Sequence, residues 1–420
     1  MNLNKLLGLT LSFFMLCAST TILKAQDCDG DRYKTNDFFP TLNERSDILF
    51  GENMSVPGFS GVSQPQSLYL DFFEGEGDTA TKRPLIIFAF GGSFIGGQRS
   101  QVHYLCEAYA KMGYATATID YRVGVFNPNK VNTTLAVLRG MHDMKAAVRF
   151  FRQDAATVDT FNIDPDRIII GGVSAGAISA IQAAYLDKES EIPAYLYGDT
   201  AGLGGVEGNS GNPGYSSKPA GVINFSGAIG DTLWIEQDDV PIVGFHETGD
   251  GTVPYDTREV AVSGVPTGLI ASGSGHLHRW AETQGVVSDL TSYNTNGHVG
   301  YLGSERPQVL EKVRNFMYNE VSCKNSPGIG VGIAVNDKKQ NNFEVYPNPS
   351  NGRINVRTSN QIDDGILEVY NSIGQLLLSE RINGDYKEMD LAGLNKGLYV
   401  VRISSKDNAQ IKMTKKLILN

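Results

Sequence analysis

Between residues 65 and 323 the spacing of apolar residues switches repeatedly between strand-like and helix-like periods. "SLYLDFF" (67–73) alternates apolar and polar positions, as an antiparallel edge strand does. "PLIIFAF" (84–90) is an unbroken apolar run, the signature of a strand covered on both faces. The spacing predicts a helix over 101–112, stopped by Gly113, then a strand "YATATIDY" (114–121) and a long amphipathic helix over 135–154. The rhythm continues with strand "RIIIGG" (167–172), helix 175–185, and strands "AGVINFSG" (220–227) and "VPIVGFHE" (240–247). Helix 274–284, strand "DLTSYN" (289–294) and helix 306–320 complete it. Alternation of this kind predicts an α/β fold with a mostly parallel central sheet and helices on both faces.

Two stretches break the pattern. The Gly-, Asn- and Ser-rich run 198–219 is too long for a routine connection, and reads either as a loop over a substrate or as a surface insertion. From 324 to 342 the composition is that of a linker, and 343–420 then shows short alternating runs with turn signals, such as "FEVYPNPSNGRINVRT" and "GLYVVRISS". That is the pattern of a small all-β sandwich, and it contains no His or Cys to carry chemistry. The expected organisation is a large α/β domain over 26–323, the linker, and the sandwich over 343–420, consistent with 420 residues exceeding what one core supports.

The first 25 residues read as a secretory signal. Lys5 precedes a nearly unbroken apolar run from Leu6 to Cys17, and small and polar residues lead to a cleavage point between Ala25 and Gln26. The run is shorter than the roughly 20 residues that span a bilayer, so a retained anchor is the weaker reading. A lipidated Cys17 is weaker still, because bulky Leu16 precedes it. No transmembrane segment is expected once the signal is removed.

Loss of Lys5 and Lys24 takes the formal charge from −10 to −12. With no Lys/Arg block elsewhere, nucleic acid and anionic membranes are excluded as main partners. An exported chain meets oxidising conditions. Cys28 and Cys323 flank the main domain, whose ends are expected to lie close together, so a disulfide between them is expected. Cys106 falls in a helix and is expected to be a small buried hydrophobe. No Cys/His cluster has metal-ligand spacing, and no metal or cofactor is expected.

"IIIGGVSAGAISA" (168–180) sets Ser174 between Gly172 and Gly176, with a strand before it and a helix after it. A serine hydroxyl attacks a carbonyl only when a base removes its proton, a third group orients that base, and N–H donors receive the oxyanion. On such a strand–turn–helix elbow the acid and the histidine follow the serine in the chain. Asp250 lies in a turn just past strand 240–247, with Glu247 and Asp256 as alternatives. His103 and His142 precede the elbow and fall in helices, and His246 lies close to Asp250 along the chain. His276 and His278 share a helix, whereas His298 sits in the loop "NTNGHVG" after the last strand. His298 is therefore the expected base, with His276 second. The oxyanion donors are expected from the amide of Ala175 and that of Gly92 or Ser93, after strand 84–90. The Gly-Gly there lacks the Gly-Lys-Ser/Thr of a phosphate loop.

Residues from about 67 to 320 resemble the carboxylesterase and lipase side of the α/β-hydrolase family. "FGGSF" (90–94) resembles its His-Gly-Gly-Gly/Ser-Phe oxyanion motif, and "IDYRVG" (119–124) its Asp-Tyr-Arg-Leu segment. "IDPDRIIIGGVSAG" (163–176) resembles the approach to the nucleophile, and "GFHETGDGTVPY" (244–255) the segment carrying the acid. Two positions depart from the family: Phe90 replaces its usual His, and Glu247 stands where Gly is common. The resemblance implies a serine carboxylic-ester hydrolase working through Ser174, His298 and Asp250. Its substrate would be a small-molecule or polymer ester, such as a polysaccharide acetyl or feruloyl ester, a lipid or a polyester. A reading of another class is a surface-displayed binding protein on an inactive hydrolase scaffold.

The C-terminal runs "VYPNPSNGRINV", "VYNSIGQLLL", "LNKGLYVVRI" and "KKLILN" resemble the sorting domain of the type IX secretion pathway. This implies engagement of the secretion machinery, passage across the outer membrane, and release or attachment at the cell surface.

Overall fold

The computed structural model describes residues 28, 30–56, 62–196, 204–324, 343–371, 375–405 and 412–420. The expected signal peptide and nearly all of the expected linker lie outside these residues. The chain divides into two compact units, Met1–Ile329 and Gly330–Asn420.

In the first unit, strands β1 (Leu42–Ser55), β2 (Gln64–Gly75) and β3 (Arg83–Ala89) precede helix α1 (His103–Lys111). Then come β4 (Ala115–Ile119), α2 (Lys130–Ala156), β5 (Ile163–Val173) and α3 (Ala175–Tyr185). Short strands β6 (Gly221–Phe225) and β7 (Ala228–Ile229) lead to β8 (Ile242–Glu247) and to the hairpin β9 (Thr257–Val262) and β10 (Val265–Gly273). Helix α4 (Ser274–Gln284), β11 (Ser288–Tyr293), the single turn α5 (Tyr301–Ser304) and α6 (Arg306–Met317) close the unit.

Eight strands form one sheet in the order β1-β2-β4-β3-β5-β6-β8-β11. The pairings β1–β2 and β2–β4 are antiparallel, and the remainder are parallel. The continuous apolar runs became the central strands: every residue of β3, β4, β6 and β8 is buried. Helices α3 and α4 occupy the expected ranges. Helix α2 starts five residues before the expected 135, because the Asn129 side chain accepts from the Asn132 amide and caps a polar first turn.

Two features lay outside the sequence pattern. Strand β1 is a long, mostly exposed edge with only Phe50 and Ser55 buried, so it lacks clear alternation. Hairpin β9–β10 joins β7 in a separate three-stranded sheet. Its turn, Ser263-Gly264, takes positive φ at both residues (50° and 79°), the conformation a tight two-residue hairpin turn requires.

A disulfide joins Cys28 to Cys323, with Cα atoms 5.9 Å apart. Cys106 is free and buried in α1, and burial pushes its thiol well above the usual range. The described part of the long Gly-rich run, 204–219, is packed against α2. Ser210 donates to Asp143 at 2.6 Å, and Arg149 donates to the carbonyls of Glu207 and Gly211. Asp143 is fully buried and also accepts from the Arg122 guanidinium and amide. No residue of 204–219 lines the cavity at Ser174.

The second unit is antiparallel and all-β: β12 (Phe343–Tyr346), β13 (Arg353–Asn371), β14 (Leu376–Asp390), β15 (Gly397–Ser405) and β16 (Lys412–Leu419). The first half of β13 pairs with β12 and the second half with β15, while β14 runs along its other edge. Ile354, Val356, Leu367, Val401 and Ile403 are among the residues of its own core.

Candidate active site

Strand β5 ends and α3 begins at Ser174, whose φ of 55° and ψ of −116° are unusual for a residue with a side chain. The crossing of β3 and α3 is tight. A Cβ at Gly172 would lie 2.6 Å from the Ala89 carbonyl oxygen, and one at Gly176 only 2.1 Å from it. Glycine at both positions lets the elbow form. The Ser174 amide donates to the Phe225 carbonyl at 2.8 Å, fixing the turn against β6.

The Ser174 hydroxyl lies 2.9 Å from His298 Nε2, and His298 Nδ1 lies 2.7 Å from Asp250 Oδ2. A carboxylate only accepts, so Nδ1 carries a proton and Nε2 is the acceptor for the Ser174 hydroxyl. Asp250 Oδ1 accepts from the amides of Thr252 (2.7 Å) and Val253 (3.0 Å). Burial alone would push the Asp250 carboxyl up. The donors His246 and His298 and the Thr252 amide outweigh it and hold the group well below the usual carboxylate range.

The two departures from the family pattern have local explanations. Phe90 stacks on Tyr121 at 4.4 Å between centroids, and the Tyr121 hydroxyl donates to the Phe90 carbonyl at 3.0 Å. Glu247 is buried under the histidine loop, where it accepts from the Gly300 amide and the Thr295 hydroxyl, both at 3.3 Å. It therefore ties down both ends of the segment bearing His298. The Glu247 carboxylate is thus engaged by the ends of that segment, and Asp256 pairs with Arg279. His276 bonds Thr257 at 2.6 Å, away from Ser174.

Gly91 lies beside Ser174, since a Cβ there would come 3.2 Å from Ser174 Cβ. The next three residues all take positive φ: Gly92 at 134°, Ser93 at 54° and Phe94 at 59°. Ser93, Phe94, Ser174 and Ala175 share one cavity. As the first residue of α3, Ala175 has an amide without an intrahelical acceptor.

That cavity measures about 580 Å³. Its walls are largely apolar and come from α2 (Val137, Leu138), from the segment before β8 (Trp234), and from the hairpin (Val260, Val262, Leu269). The hairpin's share of the wall had no counterpart in the sequence reading, although Ser-Gly between two alternating runs is a hairpin signal. Among the described residues there is no group of three or more His, Cys, Asp or Glu arranged to hold a metal, and no helix is long and apolar enough to cross a membrane.

Residues 70–230 match the family model described as BD-FAE, and residues 344–420 match that of the secretion system C-terminal sorting domain. The chain is 30% identical over 149 residues to gut esterase 1 of Caenorhabditis elegans, covering 35% of this chain and 25% of that protein. It is 29% identical over 142 residues to the fumonisin B1 esterase of Sphingopyxis macrogoltabida, covering 31% and 25%. It is 26% identical over 142 residues to the neuroligin-like protein glit-1 of C. elegans, covering 33% and 18%. The chain thus spans about a quarter or less of the length of these relatives. Among solved structures, esterase 2 of Thermogutta terrifontis phosphorylated by paraoxon is 21% identical, with a TM-score of 0.45 over 64% of this chain and 94% of that one.

Proposed function

We propose that this α/β-hydrolase, which joins a BD-FAE-type domain to a secretion system C-terminal sorting domain, is an exported serine ester hydrolase. The observation that carries the reading is the unbroken contact from Ser174 through His298 to Asp250. Sequence likeness alone would not carry it, because the matched segment aligns with named esterases and with a neuroligin-like protein alike.

As Ser174 Oγ bonds the ester carbonyl carbon, His298 Nε2 takes its proton and Asp250 stabilises the resulting imidazolium. The oxyanion is received by the amides of Ala175 and of Gly92 or Ser93. His298 then gives the proton to the departing alkoxide, leaving an acyl group on Ser174. A water deprotonated by the same histidine releases it.

The cavity volume favours an ester with an apolar group larger than acetyl, since acetyl would leave most of about 580 Å³ unfilled. The sorting domain and the expected signal peptide direct the hydrolase through the secretion machinery to the outside of the cell. The test is turnover of p-nitrophenyl esters of increasing acyl length by the whole chain and by Ser174→Ala. The expected result is a loss of at least about 10⁴-fold in the variant. Wild-type turnover no better than that of Ser174→Ala would leave the chain a binding protein on an inactive scaffold.

A further inference from the structure

His246 is the penultimate residue of β8 and is fully buried. Its Nε2 lies 3.3 Å from Asp250 Oδ2, the oxygen that also accepts from His298, and 3.4 Å from the Val253 carbonyl. Both of these partners only accept, so Nε2 carries the proton. Nδ1 is then an acceptor, and the Ser274 hydroxyl donates to it at 2.7 Å. Ser274 Oγ in turn accepts from Asn224 Nδ2 at 2.9 Å, and Asn224 Oδ1 accepts from the Gly227 amide at 2.7 Å, which fixes the amide's orientation. A hydrogen-bonded chain therefore runs from β6 through α4 and β8 into the carboxylate that faces His298.

Taking Ser174, His298 and Asp250 as the catalytic groups proposed above, we infer that His246 is a positioning residue, a second imidazole donor that fixes the aim of Asp250 at His298 and shares its negative charge. Two amides lie on Oδ1 and two imidazoles on Oδ2, so each carboxylate oxygen faces two N–H groups. Removing the His246 donor leaves Oδ2 with one partner in a buried site, and its charge then falls more heavily on His298. The free imidazole takes up a proton more readily, and the acid limb of activity moves to higher pH.

The neighbouring ionisable groups do not substitute for the lost donor. Arg258 on β9 donates to the backbone oxygen of Asp250 at 2.8 Å, and Glu247 bonds the ends of the His298 loop. His278 on α4 bonds Ser288 at 2.7 Å, and the Tyr255 ring meets His246 edge-on at 5.6 Å.

Three variants of the whole chain test this: His246→Leu, His246→Gln and Ser274→Ala. Two readouts are taken: the pH dependence of kcat and kcat/KM on a p-nitrophenyl ester, and the low-field NMR resonance of the proton between His298 and Asp250, which needs no turnover. His246→Leu is expected to lower kcat about 10-fold with KM within about twofold, to raise the acid limb by about half a pH unit or more, and to displace the resonance. Ser274→Ala moves both readouts in the same direction by less. His246→Gln, which keeps a donor N–H, restores most of the loss.

An unmoved resonance and acid limb in His246→Leu would overturn the inference. So would a His246→Gln variant as impaired as His246→Leu, which would mean that the ring only fills space. A wild-type chain that turns over no ester, yet whose resonance moves in His246→Leu, would keep the positioning role and remove the ester reading.

Discussion

Asp250 is where single-residue chemistry has the largest consequence. Its carboxyl is held below the ordinary value in the folded chain, against the push of burial, by the His246 and His298 donors. The stability this contributes is complete above the unfolded value of about 3.9 and is lost as pH falls toward the depressed folded value. Asp250→Asn should therefore be less stable than wild type at pH 6, with the gap narrowing below about pH 4 in urea unfolding. A gap constant from pH 6 to pH 3 would show that the carboxylate contributes no pH-dependent stability. That Ser174, His298 and Asp250 come together was legible from their order and their places at strand ends. His246 was not, because its four-residue separation from Asp250 argued against a role as the base and gave no hint that it touches the acid itself.

Among the elements, hairpin β9–β10 links packing to selectivity. Val260 on β9 and Ala271 on β10 join Ala228, Val253 and Ile178 in a small apolar cluster beside the elbow helix, and both line the cavity. Each methylene that finds a place there contributes about 0.8 kcal/mol, close to a fourfold gain in kcat/KM per carbon. Val260→Trp or Ala271→Trp should lower kcat/KM for an octanoyl ester by about 10-fold or more and leave an acetyl ester within about twofold. An equal loss on both esters would place the acyl group elsewhere. The central strands were readable because burial on both faces writes a continuous apolar run. β1 and the hairpin each show one face to water and pack few residues, so their patterns are faint and only the Ser263-Gly264 turn marks the hairpin.

On the scale of the whole molecule, the division into an α/β unit and an all-β unit was visible from composition and periodicity. The use of the Gly-rich run 204–219 was not, because it depends on partners far away in the chain. Ser210 and the buried Arg122–Asp143 pair fasten it to α2, and removing one member of such a pair costs about 3–5 kcal/mol. The disulfide acts over the longest distance, between residues 295 positions apart. It closes residues 28–323 into one covalent loop. A protease that cuts once between Cys28 and Cys323 should leave a single species on a non-reducing gel and two fragments after reduction, with ester turnover surviving until the reductant is added. Fragments separating without reductant would show that the loop is open. A first cut within the loop would then leave the molecule in one piece, and separating the fragments would take a second cut or a reductant.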